Sequence, residues 1–203
     1  MNISYPLKRL KSARRKLKRK PLMSNKTFFR MFIKQPKVNA SITPSSKRAA
    51  RKMVKGLNLG KMKYVVELGP GTGVFTDILA ERIPSDCKVL LVELEGSFIE
   101  HLENKFDNRF EVVQSSACKL KRLLKDRGVD NVDLVISSLP FNMPEEIKYK
   151  LQDTLIWLTD NGTCMRWFTY FPWLMKKHYK RFNFKKTAFV VWNFPPMWIY
   201  TVN

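Results

Sequence analysis

Beyond residue 61 the apolar positions switch repeatedly between two periods. Met62 to Leu68 is a short apolar, β-branched run of strand length, and residues 74 to 83 then place apolar side chains at helical intervals. The exchange recurs as the strand Lys88 to Glu93 with a helix over 96 to 106, the strand Phe110 to Val113 with a helix over 118 to 127, and the strand Val132 to Ser137 with a helix over 144 to 158. Thr163 to Tyr170 is a further strand. Strands separated by helices of this length predict a parallel sheet covered on both faces. The rhythm breaks at the end. Ala188 to Trp192 and Met197 to Val202 are joined only by Asn193-Phe194-Pro195-Pro196, too short a link for a crossover, so they must form an antiparallel hairpin. Upstream, Thr43-Pro44-Ser45-Ser46 reads as a turn and N-cap opening a helix over 46 to 56 that closes near Gly56. The expected fold is α/β and Rossmann-like, a mostly parallel seven-stranded sheet with a C-terminal antiparallel hairpin.

The N-terminal region follows another pattern. In residues 6 to 20, Leu7, Leu10 and Leu17 fall near one helical face with Ala13 beside them, while Lys8, Arg9, Lys11, Arg14, Arg15, Lys16, Lys18, Arg19 and Lys20 cover the rest. Pro21 ends this basic amphipathic helix, and Phe28, Phe29 and Phe32 then interleave with Arg30 and Lys34. Rings beside cations suit a bilayer interface, where the rings enter the acyl boundary and the cations stay with phosphates. The competing use of the same rings is to dock this segment onto the folded domain. The expected organisation is a membrane-binding segment over residues 1–40 and a single folded domain over 41–203.

Charge sharpens that division. The net formal charge is +21, and residues 1–66 hold 20 of the 38 Lys and Arg without one acid, leaving 18 bases against 17 acids in the remainder. Such a segment is drawn to polyanions, either nucleic acid or an anionic bilayer. Cys87, Cys118 and Cys164 form no CxxC pair, and His101 and His178 are the only histidines, so no metal site is expected. Unpaired cysteines suit a reducing cytoplasm. No apolar run reaches the roughly 18 residues of a spanning helix, and no signal-peptide core follows the basic start. The expected location is cytoplasmic and peripheral, on the inner face of the cell membrane.

Val65-Val66-Glu67-Leu68 runs into Gly69-Pro70-Gly71-Thr72-Gly73, a buried strand entering a glycine-rich turn before a helix. Glycine belongs there because the backbone turns sharply and admits a cofactor closer than a Cβ allows. The dinucleotide fingerprint requires glycine where Val74 stands, and no Gly-Lys-Ser/Thr follows, so neither that fingerprint nor a P-loop fits. Glu67 ends the first strand, where a carboxylate can face an ammonium. Glu93 ends the second, where an acid can accept both hydroxyls of a ribose. Two acids on two strand ends fit a cationic, ribose-bearing cofactor, S-adenosylmethionine (SAM), whose demethylated product is S-adenosylhomocysteine.

From Phe28 to Tyr200 the sequence resembles the bacterial phospholipid N-methyltransferases, class I SAM-dependent enzymes themselves similar to the rRNA adenine dimethylases. The resemblance is carried by Gln35-Pro36, the stretch ASITPSS from Ala40 to Ser46, VVELGPGTGVFT over 65 to 76, LVEL over 91 to 94, SSLPFNMP over 137 to 144, Phe168-Thr169-Tyr170 and Asn193-Phe194-Pro195-Pro196. The ELGPGTG run is shared with the RNA enzymes, whereas the QP, PSS, FTY and NFPP residues point to the phospholipid branch. The resemblance implies a class I methyltransferase fold in which Glu67, Gly69, Gly71, Thr72, Gly73, Phe75, Glu93, Leu94, Ser116, Ala117 and Ser138 hold SAM. One position departs from the pattern. The family carries Gly-Asp-Ala after the third strand, with the aspartate on the adenine amine, and this chain has Ser115-Ser116-Ala117. A neutral hydrogen bond is roughly half as strong as a charge-assisted one, which implies weaker cofactor binding.

SAM brings an activated methyl group, so the protein need only align a nucleophile and exclude water. A headgroup amine has a pKa of about 10 and must lose a proton before it attacks, a loss favoured by burial beside a sulfonium. By the resemblance, Ser138-Leu139-Pro140-Phe141 stands where amine-directed relatives keep Asn/Asp/Ser-x-Pro-aromatic. The Ser138 hydroxyl and Leu139 carbonyl then hold the amine, Phe141 packs against it, and Tyr170 adds a hydroxyl or a ring face. Ordinary packing of strand ends is the plainer use of Phe141 and Tyr170, and no general base is identified. The expected reaction is N-methylation of phosphatidylethanolamine and its mono- and dimethyl forms towards phosphatidylcholine. RNA adenine N-methylation is the second reading. Against it stand Ser138 where those relatives carry Asn, and a sequence that ends at Asn203, directly after the hairpin, where they carry a helical RNA-binding domain. A non-enzymatic SAM-fold adaptor, suggested by Ser116, is opposed by the intact Glu67, GxGxG and Glu93.

Overall fold

A computed structural model describes residues 44–140, 143–191 and 196–203, so the basic amphipathic segment and its expected membrane contacts lie outside the described residues. Among the described residues, seven strands form one sheet: β1 (Tyr64–Leu68), β2 (Lys88–Glu93), β3 (Phe110–Gln114), β4 (Leu134–Ser137), β5 (Cys164–Thr169), β6 (Lys185–Val190) and β7 (Met197–Val202). Their order is β3-β2-β1-β4-β5-β7-β6. The first five are parallel, and β7 runs antiparallel between β5 and β6. The helices are α1 (Pro44–Met53), α2 (Val74–Ala80), α3 (Gly96–Lys105), α4 (Leu120–Lys125), α5 (Glu145–Asp160) and the single turn α6 (Met175–His178).

Alternation along the strands divides the core in two. Val65, Leu134 and Ile136 meet Met53 of α1, Ile78 and Leu79 of α2 and Leu102 of α3 on one face. Val66, Leu90 and Val135 meet Leu120 of α4 and Leu151, Leu155 and Leu158 of α5 on the other. Burial on both faces is why the strands read as continuous apolar runs, and each buried Leu or Val contributes about 1.5–3 kcal/mol. Under α6 the second layer is aromatic, with Trp167 stacked on Tyr179 at 4.7 Å between ring centroids and the Tyr200 ring at 5.9 Å. On the opposite face Arg166 of β5 is buried and donates from Nη1 to the Met53 and Lys55 carbonyls, at 2.6 and 2.8 Å, satisfying orphan acceptors at the end of α1.

Several boundaries differ from the sequence expectation. The helix expected over 46 to 56 spans Pro44–Met53, because the chain turns through Gly56 at φ +78°. The one expected over 118 to 127 is a 3-10 turn, Ala117–Lys119, leading into α4. Strand β6 begins at Lys185 rather than Ala188. It is an edge strand whose first three residues face solvent, so no apolar pattern marks it. The 3-10 turn Pro172–Leu174 and α6 were not anticipated either.

Candidate cofactor and acceptor site

The C-terminal ends of β1 to β4 meet at one edge of the sheet, and the glycine-rich turn leaves β1 there. The Gly69 amide donates to the Val92 carbonyl at 2.9 Å, pinning the turn to β2, and Gly73 donates to Pro70 at 2.9 Å. Gly69, Gly71 and Gly73 have φ of +71°, +56° and +79°, a region that disfavours any residue with a Cβ. Their surroundings separate their roles. A Cβ on Gly73 would lie 2.8 Å from Phe106 Cε2 and 3.1 Å from Leu102 Cδ2, and one on Gly69 would lie 3.1 Å from Leu139 Cδ2. A Cβ on Gly71 would have nothing within 4 Å. Gly73 and Gly69 therefore serve close packing, and Gly71 leaves open room for a ligand.

Glu67 is fully buried at the end of β1. Its Oε2 accepts from Thr76 Oγ1 at 2.8 Å, while Oε1 has no hydrogen-bond partner among the described residues. Burial pushes its pKa up to about 8. A buried oxygen without a donor carries an unmet desolvation cost, which an ammonium would offset. Glu93 is buried as well. Its Oε1 accepts from the Leu94 and Glu95 amides at 2.7 and 2.9 Å, and its Oε2 from the Gly71 amide at 3.0 Å. Burial raises its pKa and the backbone donors oppose the rise. Glu93 is thus locked to the turn while presenting unused lone pairs beside a cleft that opens to solvent.

That cleft brings together Gly69, Glu93, Leu94, Ser116, Ala117 and Leu139 from the expected set. Val92, Ser115, Met143 and Ile147 also line it and were not anticipated, because their spacing reads as ordinary strand, loop and helix packing. The apolar portion of this wall suits a planar base, and Ser116 Oγ lies 3.2 Å from Cys118 Sγ. Thr76, the partner of Glu67, was also missed, although its place in the first turn of α2 lets it reach back to β1. Thr72 turns its carbonyl to Lys105 Nζ at 3.1 Å. Glu67, Gly71, Thr72, Gly73 and Ser138 of the expected set are not among the cleft's lining residues, and neither is Phe75. Phe75 packs against Phe168 at 5.5 Å within the first core layer.

At the acceptor end, the Ser138 amide donates to the Leu68 carbonyl at 2.9 Å, tying the loop after β4 to β1. The Ser138 hydroxyl is buried with no partner among the described residues, a second polar atom that a ligand would satisfy. Tyr170 sits edge-on to Phe168 at 5.6 Å, and Phe141 lies outside the described residues.

This strand order, with a glycine-rich turn after β1 and buried acids ending β1 and β2, defines a class I SAM-dependent methyltransferase. The orphan Glu67 oxygen and the room at Gly71 fit that cofactor. The chain belongs to the ribosomal RNA adenine dimethylase family, whose model matches residues 25–164. It is also 33% identical over 178 residues to an ornithine lipid N-methyltransferase of Singulisphaera acidiphila, covering 85% of this chain and 92% of that one. A ribosomal RNA small subunit methyltransferase A of Mycoplasma capricolum is 30% identical over 102 residues, 49% of this chain and 37% of its own length. The solved SAM-dependent methyltransferase from Aquifex aeolicus shares the fold, with a TM-score of 0.59 at 13% identity, over 81% of this chain and 96% of that one.

Proposed function

We propose that the protein methylates the amine of a phospholipid headgroup at a membrane surface, acting on phosphatidylethanolamine and its mono- and dimethyl forms on the way to phosphatidylcholine. The observation that carries this reading is the extent of the relationships. The lipid enzyme matches almost end to end, whereas the RNA family model stops at Cys164, the first residue of β5, and leaves the rest of β5 with β6 and β7 outside it. Of these, β5 pairs directly with β4, whose end leads into the acceptor loop, and β7 pairs with β5. An ornithine lipid, the substrate in the relative's name, offers the same kind of amine.

When bound, SAM supplies a methyl group activated on a sulfonium. Glu67 would pair with the ammonium of its methionine portion and Glu93 with its ribose hydroxyls, while Ser116 and the apolar wall would hold the adenine. The Ser138 hydroxyl and Leu139 carbonyl would accept the N–H groups of the substrate amine and aim its lone pair. The substrate ammonium would first give a proton to solvent, and SAM held there would then supply its methyl group to the freed lone pair, its sulfur keeping the electrons of the carbon–sulfur bond as S-adenosylhomocysteine. No helix among the described residues is long and apolar enough to cross a membrane. The reading places the protein on the inner face of the cell membrane, with residues 1–40 meeting anionic lipid.

The test offers radiolabelled SAM with phosphatidylethanolamine in anionic vesicles, with an ornithine lipid, or with structured RNA. Label extracted with phosphatidylethanolamine is the expected result. Label confined to the ornithine lipid keeps the lipid reading and changes the headgroup. Label retained on RNA moves the function to adenine methylation, the second reading, which the family model favours.

A further inference from the structure

Charge redistributes when the chain is divided at the boundary before β5. Residues 161–203 hold seven Lys and Arg and no Asp or Glu, while residues 67–160 hold 17 acids against 11 bases. The same C-terminal stretch carries 13 of the 25 aromatic residues. Trp167, Tyr179, Phe182 and Tyr200 are core, but Trp173 is 70% exposed, Val191 58%, and Phe171 and Phe189 43% each.

These exposed groups share one corner. The register sets Thr169, Trp198 and Phe189 in a row across β5, β7 and β6, with the Phe189 and Trp198 rings 4.5 Å apart. Phe171, two residues past Thr169, leaves the sheet beside that row, its amide held by Thr169 Oγ1 at 2.8 Å and its ring 5.4 Å from that of Trp173. α6 follows at once and carries the exposed Lys177, with the exposed Lys180 just after it. β5 also neighbours β4, whose end leads into Ser138, so the corner adjoins the acceptor end of the cleft.

We propose that this corner is a membrane-docking face of the folded domain, separate from the basic N-terminal segment, and that its occupant is an anionic phospholipid bilayer. The choice of occupant rests on the lipid reading above. Phe171, Trp173 and Phe189 enter the headgroup layer and Lys177 and Lys180 meet phosphates, while Asp153 of α5, the acid that reaches this stretch, is paired with Arg181 at 2.7 Å. Aromatic side chains with cations also stack on unpaired bases. Exposed Val191 has no use in such stacking but fits an acyl boundary, and this favours the bilayer. Docked in this way, the acceptor end of the cleft faces the plane in which headgroup amines lie, and the lipid need not be extracted.

The test uses the full chain with Phe171→Ser/Trp173→Ser and, separately, Phe189→Ser and Lys177→Glu/Lys180→Glu. Each is measured for partition onto phosphatidylglycerol–phosphatidylethanolamine vesicles, binding of structured RNA, SAM affinity, and methyl transfer to vesicle lipid or to a short-chain, water-soluble phosphatidylethanolamine. The Phe171/Trp173 variant should partition about tenfold less and lose vesicle transfer in step, with SAM affinity and transfer to the soluble lipid unchanged. Unchanged partition in all three variants overturns the docking face, as does loss of RNA binding with vesicle binding intact. A wild-type protein that methylates neither lipid form refutes the headgroup reading alone, and the partition measurements still decide the docking face.

Discussion

Binding of SAM should expel a proton from Glu67. In the free protein this carboxyl is fully buried and its pKa is pushed up to about 8, so at pH 6.5 it is about 97% protonated. Pairing with an ammonium requires the carboxylate, so nearly one proton should leave per SAM at pH 6.5, whereas near pH 8 the proton lost by Glu67 is offset by the one the ligand amine takes up and the net release should approach zero. Affinity should follow, rising about ninefold between pH 6 and pH 7, about 1.3 kcal/mol. The ligand's own amine deprotonates near 7.7–8.0, so the gain should flatten above neutrality. The fold feels the same group in reverse. Because its folded pKa lies above the ordinary carboxyl value of 4.5, its protonated form favours the folded state, and stability without SAM falls as pH rises from 4.5 to about 8. Titration calorimetry at pH 6.5 in two buffers of different ionisation enthalpy counts the protons. Glu67→Gln should release none and bind at least about tenfold more weakly, and 5′-methylthioadenosine, which lacks the ammonium, should release none from the wild type. A wild-type protein that binds SAM with no proton release, or with an affinity flat from pH 6 to 7, would show that Glu67 does not meet the ammonium.

Further predictions separate packing from binding. Gly73→Ala should cost about 2–4 kcal/mol in urea unfolding, from its left-handed φ and the contact with Phe106, whereas Gly71→Ala should cost about 1–2 kcal/mol and abolish SAM binding. Equal unfolding of the two variants would refute the distinction. Ser116→Asp should tighten SAM by about tenfold in calorimetry by restoring a charge-assisted bond to the adenine amine, and unchanged affinity would place that amine elsewhere. Replacing Lys16, Lys18, Arg19 and Lys20 with Glu should weaken vesicle binding to what the C-terminal corner alone supports while sparing SAM affinity, since each base near an anionic leaflet contributes on the order of 1 kcal/mol. Equal vesicle binding by this variant would remove the membrane role of the segment.

Where a pattern is local, it was legible. The strand Lys88 to Glu93 was read to its exact ends, and the glycine turn with its two acids stands in nearly contiguous residues. What remained hidden depends on partners far along the chain. The clash that reserves Gly73 for glycine comes from Phe106, and the isolation of Glu67 Oε1 and Ser138 Oγ exists only once both are buried. Elements one turn long, such as α6, are too short to display a helical period, and the solvent-facing start of β6 needs no apolar residue. The acid-free C-terminal stretch could have been counted. It was hidden because its positive charge cancels the excess of acids over 67–160, so the total over residues 67–203 looks neutral.

The position of β7 has a consequence for how the chain is made. Synthesis delivers β6 before β7, yet among the described residues β6 pairs only with β7, which in turn fills the gap beside β5. Until residues 197–202 emerge, β5 presents an open edge of main-chain donors and acceptors, and the aromatic segment between β5 and β6 has no completed sheet beside it. The nascent domain should therefore pass through a stage in which its cofactor half is assembled and its acceptor half is not. That stage is when it is most exposed to aggregation and most in need of a chaperone, and a nick or deletion confined to β7 would unseat two strands at once.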